Sequence, residues 1–360
     1  MKPRLRMLSM LLAATCLAAT NAAAASIGVV APQSGPFALL GKQMQDGAEA
    51  AAERLGIEVH LVAETCEAGS GEAIGEQLRD AKVTAAIGFL CSESLDGAPP
   101  LLKEAGIPAI TLSVRWKVLM EDALKNEWPF FRMAPTADDE AEKVIEVILR
   151  DWSGDAVALI EDGTIHGREL VEAVRAGMEE RGMKPVFTDT YRPGQEQQVA
   201  LVRRLKKAGA TRVFVGGDRN DVAIIARDAA TEKATLTLMG GDAMRAADQP
   251  VALAAGTLAV ALPEYDTFPS AQEAVALLRG KGIVPEGYVL PAFASVELVA
   301  DAAGLSSAMG MPVAEALVGT GFETAIGNVT FDAGHELVDN PYVLMEWRDG
   351  RFVPVGAVGQ

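Results

Sequence analysis

Histidine and cysteine are scarce in this chain of 360 residues, with three of each. His60, His166 and His335 lie far apart and share no ligand-type spacing, so no metal site is expected. Positive charge is also in short supply: 32 Lys and Arg stand against 49 Asp and Glu, a formal net charge of −17. An acidic surface disfavours nucleic acid and anionic membrane as partners, and it says nothing about fold. Beyond residue 25 no stretch reaches 18 uninterrupted apolar residues, so a membrane span is not expected and the product should be soluble. A G-x-S-x-G elbow, an H-E-x-x-H helix and a properly spaced nucleotide fingerprint are absent as well. Ser92, His166 and Asp242 could meet in space as a hydrolytic set, but a binding cleft holds the same groups without chemistry. The expectation is a protein that is not an enzyme and uses no cofactor.

What is present begins with a leader. Lys2, Arg4 and Arg6 form a positive start, Met7 to Ala19 an apolar run, and Ala23-Ala24-Ala25 a small-residue cleavage site. This reads as a secretory signal peptide, cleaved near Ala25 so that the mature chain starts at Ser26. Cys16 offers a competing lipid-anchored start, disfavoured by the Thr15 before it and the short apolar run. Cleavage removes three cations and no anion, which makes the mature chain still more acidic. In an oxidising compartment the remaining Cys66 and Cys91 are an even pair, near the ends of "LVAETC" and "AAIGFLC", two apolar segments that read as neighbouring strands. They read as a structural disulfide, because a redox or metal pair calls for C-x-x-C spacing and nearby histidines.

The stretch "SGPFALLGKQ", Ser34 to Gln43, looks at first like a phosphate-binding loop between strand and helix. Such a loop needs four residues between its first glycine and the Gly-Lys pair, then Ser or Thr for magnesium. Here Pro36 to Leu40 make five, and Gln43 follows Lys42. An exported protein also works where ATP is scarce. The nucleotide reading is set aside.

Strand-like and helix-like segments alternate throughout. Strands are expected at Ser26–Ala31, Ile57–Ala63, Thr84–Phe89 and from Pro108 to Thr111, with helices at about Gly41–Arg54, Gly71–Ala81 and up to Ala105. A second series begins near Ala137, with strands at Asp155–Ile160, Val186–Asp189, Arg212–Val215, Thr235–Met239 and Thr257–Leu262. Its helices are expected at about His166–Arg181, Glu196–Ala208 and Asp221–Ala229, followed by Ser270–Gly280 and Leu290–Ala303 and a β-rich tail. This predicts an α/β protein of two doubly wound parallel-sheet units, with ligands bound where strand ends and helix N-termini face a cleft.

Ordered along the chain, several pieces resemble the Leu/Ile/Val-binding periplasmic proteins of ABC transporters, a branch of the type I periplasmic binding proteins. "IGVVAPQSGPFALLGKQMQDGAEAAAE" is similar to that family's opening strand, ligand loop and first helix, and "ETC" followed by "IGFLCSES" to its disulfide pair. "GIPAITLS" resembles its fourth strand, "FFRMAPTADDEA" its first hinge crossing and "AIGNVTFDAGHE" its C-terminal hinge. The resemblance implies two lobes joined by a three-segment hinge, residues 26–137 plus 264–332 in one and 138–263 plus 333–360 in the other. It also implies a periplasmic monomer that closes on a small solute and delivers it to an inner-membrane permease. A sensor of the same fold, reporting to a membrane receptor, is the alternative.

By the same resemblance Leu40 sits at the cleft mouth, and Ser92 is the carboxylate-binding serine. Ser113 and Arg115 occupy the next contact loop, where Arg115 suits a bidentate carboxylate clamp or a solvent-side ion pair. His166 and Asp218 replace aromatic contacts, and Asp242 takes the place of the acid that meets the ligand ammonium. Each has a plainer role available: Ser92 and His166 as caps at a helix start, Asp218 as turn chemistry after Gly216-Gly217. Tyr265 and Tyr288 read as core residues first. The substitutions share a polar direction, so the expected ligand keeps a carboxylate and an amine and carries a polar or cationic group, or is an amide-like nitrogen compound.

Overall fold

The computed structural model describes residues 25–246 and 251–356. The leader, Cys16 and residues 357–360 of the expected second lobe lie outside the described residues.

The first unit alternates β1 (Ser26–Ala31), α1 (Ala38–Leu55), β2 (Glu58–Ala63), α2 (Ser70–Ala81), β3 (Ala85–Gly88), α3 (Ala98–Ala105), β4 (Ala109–Thr111), α4 (Lys117–Lys125) and β5 (Phe130–Arg132). Its sheet is wholly parallel in the order β2-β1-β3-β4-β5. The second unit contains α5 (Ala137–Asp151), β6 (Val157–Glu161), α6 (Ile165–Glu180), β7 (Phe187–Thr190), α7 (Val199–Lys207), β8 (Arg212–Gly216), α8 (Arg219–Thr231), β9 (Thr237–Gly240) and β10 (Leu258–Ala261). The chain continues through α9 (Gln272–Gly280), α10 (Val289–Met309), α11 (Val313–Leu317) and the hairpin β11 (Gly321–Thr324) with β12 (Gly327–Thr330), then ends in β13 (Val343–Arg348) and β14 (Arg351–Pro354). The second sheet runs β14-β13-β10-β9-β8-β6-β7, parallel from β7 to β10, with β13 antiparallel to both β10 and β14 at its edge.

Continuous apolar strands such as "AAIG" and "VALIE" are buried on both faces, as a covered parallel sheet requires. Residues 271–331 pack on the first sheet although they follow the second in sequence: Ala274, Phe293, Val299 and Phe331 share a core with Ile27, Met44 and Phe131. α10 is long and apolar enough by length and composition to cross a membrane, but Phe293, Ala294, Val296, Leu298 and Val299 are fully buried against the first unit. Its close partner is α1, where Gly47 lies on the Val289 carbonyl and a Cβ would overlap it. Small residues at Gly47, Ala48 and Ala51 let the two helices approach.

The strand pattern read from sequence is present, with element ends shifted by a few residues: α1 begins at Ala38 and α7 at Val199. Four elements went unread, the short α11 within the expected β-rich tail among them. α4 and β5 lie in a stretch whose charges and Pro129 hide the period, and α5 is announced by a capping box. In that box the Asp139 amide donates to the Thr136 hydroxyl at 3.2 Å, and the Thr136 amide donates to the Asp139 carboxylate at 2.5 Å.

Cys66 and Cys91 form the disulfide, with Cα atoms 5.4 Å apart and 25 positions between them in sequence. It fastens the loop after β2 to the loop after β3. There the chain turns sharply through Gly88 (φ 109) and Phe89 (φ 54). Glu64, 3% exposed, accepts the Leu90 and Cys91 amides at 2.9 Å each. Burial pushes its pKa up, and those two hydrogen bonds hold it down in part.

Candidate functional site: a cleft between the two sheets

Because each sheet is parallel, its loops and helix N-termini gather at one edge, and these two edges flank a cavity of about 230 Å³. The first unit contributes Leu40, Gln43, Ser113 and Arg115, the crossing segments Met133–Pro135 and Leu262–Glu264, the second unit Arg245, and the start of α10 Tyr288 and Leu290. The interior is largely apolar, with polar groups at its margins. Tyr288 donates its hydroxyl to Ser113 Oγ at 2.9 Å, and Gln43 Oε1 accepts the Tyr288 amide at 3.3 Å. Arg245 pairs with Glu264 at 2.7 Å on one rim. On another, Arg115 Nη1 donates to the Tyr342 hydroxyl at 3.0 Å, which links the first unit to the start of β13.

Below Arg115 lies a buried acid. Glu140, in the first turn of α5 and 3% exposed, accepts the Asp242 amide at 2.8 Å. Gly241 permits that approach, since a Cβ there would overlap Glu140 Oε1. Burial is the main reason its pKa is raised, and the Asp242 charge adds to it; the Asp242 amide, His166 and Arg115 pull the other way. Tyr342 is buried too, which raises its phenol pKa. Asp242 turns its own Oδ1 to the Leu262 amide at 3.1 Å, joining the end of β9 to the second crossing.

Of the residues singled out in sequence, Leu40, Ser113 and Arg115 line the cavity, as do Tyr265 and Tyr288, which also pack against the first core. Asp242 and His166 stand beside Glu140 outside the lining, His166 exposed in the first turn of α6. Ser92 is half-buried after β3 and donates to Glu93 Oε2 at 3.2 Å. Asp218 is the N-cap of α8 and accepts the Asp221 amide at 2.9 Å. Sequence reasoning missed Glu140 and Tyr342. Recognising the Thr136-Asp139 box would have placed Glu140 in a first helical turn, but nothing in sequence brings Tyr342 to Arg115.

The first crossing is held by an ion pair. Arg132, 1% exposed, bonds Glu336 with two nitrogens, one of them at 2.7 Å, and donates to the Trp116 carbonyl at 3.1 Å. Next to it the His335 ring stacks on Phe131, with centroids 4.2 Å apart, and its Nδ1 lies 2.9 Å from the Phe130 carbonyl.

Two parallel-sheet units connected by several crossings, with a cavity between strand ends, define a two-lobed binding protein. Residues 24–351 match the periplasmic binding protein family model, and the chain belongs to that family. It is similar to Leu/Ile/Val-binding protein homolog 3 of Brucella melitensis, 28% identical over 368 residues, covering 97% of this chain and 99% of that one. An amino acid binding protein of Pseudomonas aeruginosa is 29% identical over 346 residues, covering 90% of each. The fold is also that of a putative branched-chain amino acid ABC transporter protein from Rhodospirillum rubrum, with a TM-score of 0.79 at 18% identity over 92% of this chain and all of that one.

Proposed function

We propose that the chain is the solute-binding component of an ABC importer, which takes an amino acid or related small nitrogen compound into the cleft and delivers it to a membrane permease. One observation carries the reading: a largely apolar cavity between the two units with the Arg115 guanidinium at its margin. Arg115 suits a carboxylate because its planar fork offers several donors, and only one of them is engaged by Tyr342. The names of the Brucella and Pseudomonas relatives support the amino-acid class.

Residues 26–137 plus 264–332 act as one lobe and 138–263 plus 333–360 as the other. The crossings near Pro135, Pro263 and Glu336 serve as the hinge, and closure of the lobes traps the solute. The protein is exported to the periplasm after cleavage near Ala25 and works as a monomer. Leu40, Ser113 and Arg115 contact the ligand from the first lobe, with Ser92 at the adjoining loop. His166, Asp218 and Asp242 approach it from the second.

The test is to denature the purified protein, extract the supernatant and identify bound small molecules by mass spectrometry, alongside thermal shift with an amino-acid panel. A stoichiometric amino acid that also raises Tm is the expected result. An empty protein that no amino acid stabilises would remove the amino-acid assignment.

A further inference from the structure

The second sheet reverses its strand order between β6 and β8, opening a crevice at their carboxyl ends. Four acids gather there: Glu161 at the end of β6, Asp162 just after it, and Asp218 and Asp221 at the start of α8. Local bonds hold each one. Glu161 accepts the Gly163 amide and the Thr190 hydroxyl. Asp162 Oδ1 accepts the Thr164 amide at 2.9 Å and hydroxyl at 2.6 Å. Asp218 Oδ1 accepts the Asp221 amide at 2.9 Å, and Asp221 Oδ1 the Gly194 amide at 3.0 Å. The second oxygens of Asp162 and Asp218 receive no protein hydrogen bond among the described residues.

Tyr191 points independently to a missing partner. The residue is 4% exposed, and its hydroxyl is buried with no hydrogen-bond partner among the described residues. The hydroxyl lies on Gly217, where a Cβ would overlap it, and that same Cβ would be 3.3 Å from the Asp162 Cβ. The strongest charges acting on the phenol are those of Asp221, Asp162, Asp218 and Glu161, all negative. Burial, with Asp218 and Asp162 nearby, pushes the Asp221 carboxyl up to about 6 against the Gly194 hydrogen bond. The nearby Arg168 spends one donor on the Gly163 carbonyl at 3.3 Å and is exposed.

Concentrated acid beside an unpartnered hydroxyl calls for a positively charged donor. A bare metal ion fits poorly. Oxygens around one calcium at 2.3–2.6 Å fall within about 5 Å of each other, whereas among the described residues no three of these carboxylates bring ligand atoms within 4.8 Å. Several N–H groups on an organic cation can reach separated acceptors, each as a charge-assisted hydrogen bond.

We propose that this crevice receives the ammonium or guanidinium end of the solute, so that the ligand is a basic amino acid or a related organic cation. The inference rests on the amino-acid-binding reading above and names the class within it.

Isothermal titration of the mature, ligand-stripped protein with arginine, lysine, norleucine, leucine and calcium chloride tests it, with D218N and Y191F as variants. Asn caps a helix as well as Asp does, so D218N removes a charge and keeps the α8 start. Lysine or arginine is expected to bind at least tenfold tighter than norleucine, and D218N should cut that affinity tenfold or more at unchanged Tm. Leucine and norleucine binding as tightly as lysine, indifferent to D218N, would overturn the proposal and leave the amino-acid reading standing. No binding by any amino acid would remove both. Calcium binding that D218N abolishes, with lysine and arginine inert, would also overturn it and make the crevice a metal site.

Discussion

The two sheets share a strand order, β2-β1-β3-β4-β5 in one and β7-β6-β8-β9-β10 in the other, and they finish the crevice at the order reversal in different ways. In the first sheet the loops are tied internally. The Cys66–Cys91 bridge joins them, and both Glu64 oxygens are occupied by backbone amides. The second has no bridge among the described residues; it gathers Glu161, Asp162, Asp218 and Asp221 around a tyrosine hydroxyl with no partner. The same topology thus yields one wall satisfied by its own bonds and one where acids surround a hydroxyl that has no partner among the described residues.

The strongest way to break this comparison is at the joint between its halves. E336Q leaves the Arg132 guanidinium buried without its carboxylate and should cost about 3–5 kcal/mol, the range for breaking a buried pair from one side. Urea unfolding measures it, and a midpoint within experimental error of the parent would show that Arg132 is not held by Glu336. Removing the staple comes next. The double variant C66S with C91S should lose about 3 kcal/mol, since the bridge closes a loop spanning 25 positions. Loss confined to the first unit, read by hydrogen exchange, would sharpen the contrast; equal loss in both would blur it.

A comparable effect separates the second wall by pH. Asp221 titrates near 6 in the folded protein against 3.8 for the free side chain, so the folded state holds the proton more tightly. The stabilisation is complete below about pH 4 and fades as pH rises through 6, amounting to about 3 kcal/mol. Asp162, Asp218, Glu161, Tyr191 and the exposed Arg168 face the same space, so the wild-type slope is read against D221N, which should lack this share of it. Equal slopes in the two proteins would place the titration elsewhere. Smallest is T136A, which removes the N-cap of α5 and should cost about 1 kcal/mol in the same unfolding assay. Because Glu140 rides on that first turn, ligand affinity should fall along with stability; a loss of stability alone would take Glu140 out of the site.

Much of the fold was legible because parallel strands buried on both faces are short, apolar and flanked by glycine turns, as in "AAIGFLC" and "RVFVGGD". α4, β5 and α5 were less so. Their apolar positions are broken by charges, and Phe130-Phe131-Arg132 carries a buried arginine that reads as a surface residue until Glu336 is beside it. At the site, the loop residues Leu40, Ser113 and Arg115 could be picked out from the strand-loop-helix pattern. Glu140, Tyr342 and Tyr191 could not: each owes its role to a partner distant in sequence, at Asp242, Arg115 and Gly217.

By itself the sequence determined the alternation of strands and helices, the acidic charge and the presence of just two cysteines beyond residue 25, because periodicity, composition and count are local or additive. Local pattern did not place residues 271–331 in the first core; that packing belongs to the tertiary structure. It alone also decided that Arg115 meets Tyr342 and that four acids converge on one unpartnered hydroxyl. Those outcomes depend on which loops the sheet order sets side by side, and the energy of a buried charge is set by its neighbours in space rather than along the chain.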